Sequence, residues 1–311
     1  MSSVVTEILA YSELKQKKYL LPLLEQAFGW PFDETKFEKS IRMDTRLKTG
    51  SIGFCALREG KVVGYAGVMD MTLKTASRIE EKVGGLYGVA TLPGYTRQGV
   101  CTALLNHSHE YFVAKGYRFS LLTTSSTIVA HSLYRRLGYF VVAPFLSAYL
   151  EARVKKVNVS KRKNVSKLDY DGMLKLFLEY VRSRTGFVFR DKEYLRMLFR
   201  LNEYSAKNCI MTEKGYVVFI NEKESVRIRE LIAQDSNELN RLIGLVEDKT
   251  QKPIVGRLGI SDRAMSQAYA SRGYMVLEAG HPILMAKELM ANSSFSDFFG
   301  NRFYMSALDH F

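Results

Sequence analysis

Residues 92–105 read LPGYTRQGVCTALL. A proline and two glycines crowd the front, a helical apolar pattern follows, and Arg97 is the one strong basic side chain between them. Backbone without bulk can approach an anion closely. The first N–H groups of the helix it opens, at the positive end of the helix dipole, then face that anion. The stretch predicts an anion site built from Arg97, Gln98, Gly99, Val100, Cys101 and Thr102, with the backbone as the main donor.

The flanking segments supply a fold. Upstream, TEILAY reads as a short strand and LKQKKYLLPLLEQAFGW as a helix with Leu20, Leu23, Leu24, Ala27 and Phe28 on one stripe. DETKFEKSIRMDTR reads as a second helix capped by Asp33. Two strands joined at REGK follow, then a third strand, GGLYGVATLP. The helix after the loop is expected from Arg97 to about Lys115, with Val100, Ala103, Leu104, His107 and Tyr111 facing inward. FSLLTTS is a buried-type strand, TIVAHSLYRRLG a short helix ended by Gly138, and YFVVAPFLSAYLEARV a closing strand or strand pair. This order is β, α, α, β, β, β, α, β, α, β, an α/β sheet with a parallel step after Gly99.

The second half repeats the first in worn form. TEKGYVVFINEKE matches REGKVVGYAGVMD, and QAYASRGYMVLEAGHPILMAKEL matches SLYRRLGYFVVAPFLSAYLE, with a strand, a helix and a strand between them. The domains are expected at 1–152 and 153–290, with a tail at 291–311. ELIAQDSNELNRLI passes from strand to helix without a glycine-bearing loop, so the second copy is expected to hold no matching anion.

Composition excludes several classes. The net charge of +13 is spread almost evenly over both halves, apart from KKVNVSKRKNVSK at 155–167. That reads as a solvated basic surface with a basic linker, not as a nucleic-acid groove. It also favours acidic acceptors over polycations. Cys55, Cys101 and Cys209 lie far apart in sequence, which argues against disulfides and zinc. His107 and His109 are two apart on a helix and cannot share a metal; no metal is expected. No apolar run approaches the ~20 residues of a membrane span and no leader pattern opens the chain, so the expected setting is cytoplasmic and free of membrane.

VATLPGYTRQGVCTALL (89–105) followed by HSLYRRLGYFVV (131–142) resembles the GCN5-related N-acetyltransferases, the GNAT superfamily. Two positions depart from the family pattern: Thr96 stands where Gln or Arg is usual, and Cys101 where Gly or Ala is usual. The resemblance implies two tandem GNAT-like α/β domains, the second degenerate, and acetyl-coenzyme A as cofactor with its pyrophosphate on the loop. It adds Val89, Thr91 and Thr127 to the coenzyme-binding residues, with a backbone N–H near Val89 or Thr91 as oxyanion donor. Tyr134 matches the family's general acid; a phenol near pKa ~10 suits that role at neutral pH. Trp30 and Phe32 are implied to line the acceptor pocket.

The tandem arrangement, with TGFVFRDKEYLRMLF opening the second copy, is similar to the Eis-like subfamily. That subfamily implies a terminal carboxylate as base, here Phe311, with Asp309 or His310 beside it. Eis-like proteins carry a further sterol-carrier-like domain, whereas about twenty residues follow the second copy here, so their substrates are not carried over. The expected reaction is acetyl transfer to a small-molecule or peptide amine by direct attack. A non-catalytic acyl-coenzyme A sensor and a protein-amine acetyltransferase stay open as alternatives, as does the oligomeric state.

Overall fold

The computed structural model describes residues 6–29, 33–48, 50–152, 168–259 and 262–309, without the side chains of 143, 144, 280 and 281. The basic run at 155–167 lies outside them. The first half runs β1 (Glu7–Ala10), α1 (Leu21–Phe28), α2 (Glu34–Met43), β2 (Gly53–Arg58), β3 (Lys61–Lys74), β4 (Glu80–Thr91), α3 (Val100–Ala114), β5 (Phe119–Thr124), α4 (Val129–Arg136) and β6 (Phe140–Leu150). Pro22 sits in the first turn of α1, where its missing N–H is harmless. Asp33 caps α2 by accepting from the Lys36 N–H at 3.0 Å, as its sequence position predicts. Gly138, at φ +90°, ends α4 in the left-handed conformation.

The second half follows the same order: α5 (Tyr170–Tyr180), α6 (Lys192–Leu201), β7 (Cys209–Met211), β8 (Gly215–Asn221), β9 (Val226–Ala233), α7 (Ser236–Glu247), β10 (Ile254–Gly259), α8 (Arg263–Ser271) and β11 (Met275–Glu288). A short α9 (Phe295–Phe299) opens the tail.

The described strands form one eleven-stranded sheet, ordered β1-β2-β3-β4-β5-β11-β6-β10-β9-β8-β7. The two halves exchange their last strands. β6 does not return to β5; it pairs antiparallel with β10. β11 takes the vacated place, antiparallel to both β5 and β6. Each half therefore lacks a closing strand without the other, and helices from both halves pack on the faces of a continuous sheet.

α3 starts at Val100, three residues later than expected, because Arg97 (φ +60°) and Gly99 (φ +81°) are both left-handed. Its buried residues are Val100, Leu104, Leu105, Ser108, His109 and Phe112. The stripe is thus turned from the expected one, and His109 is buried where His107 was expected. Two sheet glycines explain the turn. A Cβ on Gly84 would stand 2.4 Å from the Phe112 ring, and one on Gly64 would stand 2.8 Å from Val100. Only bare backbone lets the helix press this closely.

The tail docks. Phe295, Phe299, Phe303, Met305 and Leu308 join the core between the halves. The Thr185 N–H donates to Arg302 O at 3.0 Å and the Tyr304 N–H donates to Thr185 O at 2.8 Å. The adjoining segment binds β3, where the Phe189 N–H donates to Thr72 O at 2.9 Å.

Candidate active site

β4 and β5 pair in parallel only from Gly84/Ser120 to Leu86/Leu122, although both strands run on. Beyond Leu86 they part. In the parted stretch β4 also bulges against β3: Tyr65 faces Ala90 and Gly67 faces Tyr87, so Gly88 and Val89 together oppose Ala66. Gly88 takes φ +56°, the conformation such a bulge requires. A bulge removes backbone from the ladder and re-aims it, and this one lies where the sequence placed the oxyanion donor.

The parted strands lead into the loop. Pro93–Tyr95 forms a short 3-10 turn. Gly99 precedes α3, and no side chain caps that helix. The built position of a Cβ on Gly99 meets nothing within 4 Å, so the ground before the helix is open. Arg97 is exposed and makes no ion pair among the described residues. Gln98 has its side chain engaged, receiving from Arg58 Nη1 and donating to Gly94 O at 2.9 Å, which leaves only its backbone N–H for a ligand. Arg58, which the sequence did not single out, also reaches Gln98 O at 3.1 Å and stands over the Tyr95 ring. It braces the loop from the end of β2. The Val100 side chain is buried against Gly64, so it too offers only backbone.

Three elements converge behind the loop. Thr91 ends β4, Cys101 lies in the first turn of α3, and Tyr134 comes from α4. Burial pushes the Cys101 thiol up to about 11. The Thr91 hydroxyl beside it falls short of hydrogen-bond geometry; its Oγ1 is buried without a partner among the described residues. Burial, and next the nearby Cys101, push the Tyr134 phenol above its ordinary value. Tyr134 is 6% exposed, and its ring packs edge-on against Tyr139 at 5.9 Å. Thr127 is exposed between β5 and α4, its hydroxyl 2.8 Å from Ser125 Oγ. The described polar groups of this corner suit a phosphate-bearing thioester: an uncapped helix start, an unpaired cation and an unpartnered hydroxyl.

A cleft of about 280 Å³ lies between the halves, at the start of β4 and away from the parted stretch. Arg46, Asp70 and Lys82 line it from the first half, Asp191, Glu193 and Tyr194 from the second. Arg46 sits close enough to Tyr87, next to the bulge, to oppose the rise of its phenol to about 12 that burial causes. Carboxylates outnumber cations in this lining, so the basic charge of the whole chain does not carry into the cleft. The Tyr194 hydroxyl is buried without a partner among the described residues. Asp309 is fully buried and holds Arg190 at 2.7 and 3.0 Å, which engages its carboxylate. Trp30, Phe32, His310 and Phe311 lie outside the described residues.

Residues 11–142 match the family model described as an acetyltransferase (GNAT) domain. The first half is a GNAT acetyltransferase domain. No curated protein matches the chain in sequence. Among solved structures the chain is similar to a GCN5-related N-acetyltransferase from Kribbella flavida, with a TM-score of 0.64, 15% identity, and coverage of 91% of this chain and 70% of the other. It is also similar to Eis1 from Mycobacterium abscessus (TM-score 0.60, 17% identity, 92% and 74% covered). A tandem GNAT protein from the clavulanic acid biosynthesis pathway gives a TM-score of 0.59 at 12% identity, with 93% and 100% covered. These likenesses span both halves, so the second half shares the GNAT fold. Among the described residues no helix is long and apolar enough to cross a membrane.

Proposed function

We propose that the chain transfers acetyl from acetyl-coenzyme A to a primary amine by direct attack, in the first half. The observation that carries this reading is the uncapped start of α3 at the mouth of the parted strands β4 and β5. Acetyl-coenzyme A supplies the activated acetyl thioester. The N–H groups from Gly99 to Thr102 and the Arg97 guanidinium hold its pyrophosphate, and the Thr91 hydroxyl offers a further polar contact. A backbone N–H at the Gly88–Val89 bulge receives the developing oxyanion. Tyr134, kept protonated by burial, gives its proton to the departing sulfur. Amine deprotonation falls to the base that the Eis-like resemblance implies, the Phe311 carboxylate. The engagement of Asp309 with Arg190 removes Asp309 from that role.

The domain limits proposed are 1–152 and 153–290, with the crossed strands β6 and β11 tying the two together. The second half is read as structural support that walls the acceptor cleft.

Calorimetric titration of acetyl-coenzyme A into the wild type and into Gly99→Glu tests the reading. The substitution puts a negative side chain in the open ground before α3. Binding by the wild type and none by the folded variant supports the cradle; an amine screen for turnover then separates enzyme from sensor. A folded wild type that binds no coenzyme would end the enzymatic reading.

A further inference from the structure

The loop before α3 holds a conformation that side chains resist. Arg97 takes φ +60° and Gly99 φ +81°, two left-handed residues within three. Glycine enters that region freely, whereas a residue with a Cβ is strained there. The strain at Arg97 has to be offset by contacts of its neighbours.

Those contacts run through Gln98. Its Nε2 donates to Gly94 O at 2.9 Å and folds the loop onto itself. Arg58 grips the same residue from another strand. Its guanidinium donates from Nη1 to Gln98 Oε1 and from Nη2 to Gln98 O at 3.1 Å, a two-pronged hold on side chain and backbone together. Its Nε donates to Thr6 Oγ1 at 2.9 Å, and its Cζ stands 5.9 Å from the centre of the Tyr95 ring. The anchor is itself fixed. Arg58 ends β2, which is paired with β1 on one side and β3 on the other. The turn at Glu59 and Gly60, left-handed at both residues, closes it onto Lys61.

The second half has a counterpart. Thr212 matches Arg58 in the repeated stretches, and it donates to Glu238 Oε1 at 2.7 Å, in the first turn of α7. The same place in each half thus reaches toward the helix start. Only the first half does so with a cation and neutral acceptors.

We propose that Arg58 is a positioning residue for the coenzyme: it holds residues 94–99 in the binding conformation independently of the ligand, and so sets the affinity for acetyl-coenzyme A. This rests on the function proposed above. A loop that visits the binding conformation only part of the time binds more weakly in proportion to that fraction.

Titration of acetyl-coenzyme A into the full chain and its variants tests this. Arg58→Met is expected to weaken binding ~10-fold, with little change in the unfolding midpoint, because its contacts lie near the surface. Arg58→Lys is expected to weaken binding about as much, since one ammonium cannot reproduce the planar fork. Gln98→Ala is expected to act in the same direction, and it serves alone should Arg58→Met fail to fold. Combined with Arg58→Met, it should add less than its own effect, because the two share one contact. Wild-type affinity in any of these folded single variants, or strictly additive losses in the double variant, overturns the inference and leaves the proposed function standing. Wild-type affinity in Arg58→Lys alone would reduce Arg58 to a charge. A folded wild type that binds no coenzyme ends the proposed function, and the inference falls with it.

Discussion

Gly99 and Asp235 stand at corresponding places, one residue before α3 and α7, and they treat the helix start in opposite ways. Gly99 leaves the first turn of α3 uncapped. Asp235 turns its carboxylate onto α7, accepting from the Glu238 N–H at 2.8 Å. The second half thus places its own anion where the first half leaves ground for a ligand. Under the proposed function, this difference at the helix start, with the missing glycine loop, sets an open first copy against a closed second one.

Asp235→Ala follows from that contrast. Loss of an N-cap carboxylate weakens a helix start, so chemical denaturation should show a small drop in midpoint. Coenzyme affinity should stay unchanged, because α7 takes no part in the first-half cradle. Weakened titration of acetyl-coenzyme A by a folded Asp235→Ala would mean that the second copy also binds it.

Tyr134→Phe separates the chemical from the structural role of that residue. The ring contact with Tyr139 survives the change, so the unfolding midpoint should move little. Turnover on an accepted amine should fall by ~10²–10⁴-fold, with coenzyme affinity close to that of the wild type. Undiminished kcat would remove Tyr134 as the acid and leave it a core aromatic.

How much of this the sequence disclosed depends on the range of the interaction. The loop before α3 and the Asp33 cap were legible because glycine, proline and aspartate act within three or four residues of themselves. The closing partners of β6 and β11 were not. Pairing of Phe145 with Ala279 joins positions more than a hundred residues apart, and the alternation of either strand suits any neighbour. The α3 stripe was misplaced because Phe112 is buried by a glycine in another strand, Gly84, and nothing in the helix itself records that. Arg190 lies in GFVFRD and reads as a surface charge; only its distant partners Glu230 and Asp309 make it a core residue.

Arg190→Ala tests how firmly that core depends on its charge. Arg190, Glu230 and Asp309 are all fully buried, so the truncation leaves two carboxylates facing each other without a cation. A loss of ~3–5 kcal/mol is expected, as for other buried pairs deprived of one partner. Adding Asp309→Asn should recover part of it, since the two changes share one network. Strict additivity of the two losses in denaturant titrations would show that Asp309 and Arg190 act independently.

His109 gives the molecule an acid-side weakness. It is 7% exposed, with Nε2 at 2.9 Å from the Tyr139 hydroxyl. Burial, and next the charge of Lys287, lower its pKa from 6.5 to about 3. Between those two values the unfolded chain takes up a proton that the folded chain refuses, so stability falls as pH drops through the window and is fully present above it. The slope approaches 1.4 kcal/mol per pH unit, about one proton's worth. His109→Gln keeps a polar side chain beside Tyr139 and does not titrate. Denaturant midpoints at pH 7, 6, 5 and 4 should therefore converge for the two proteins as pH falls, the wild type losing ground faster. Parallel curves would show that the fold accepts a charged imidazole at this position.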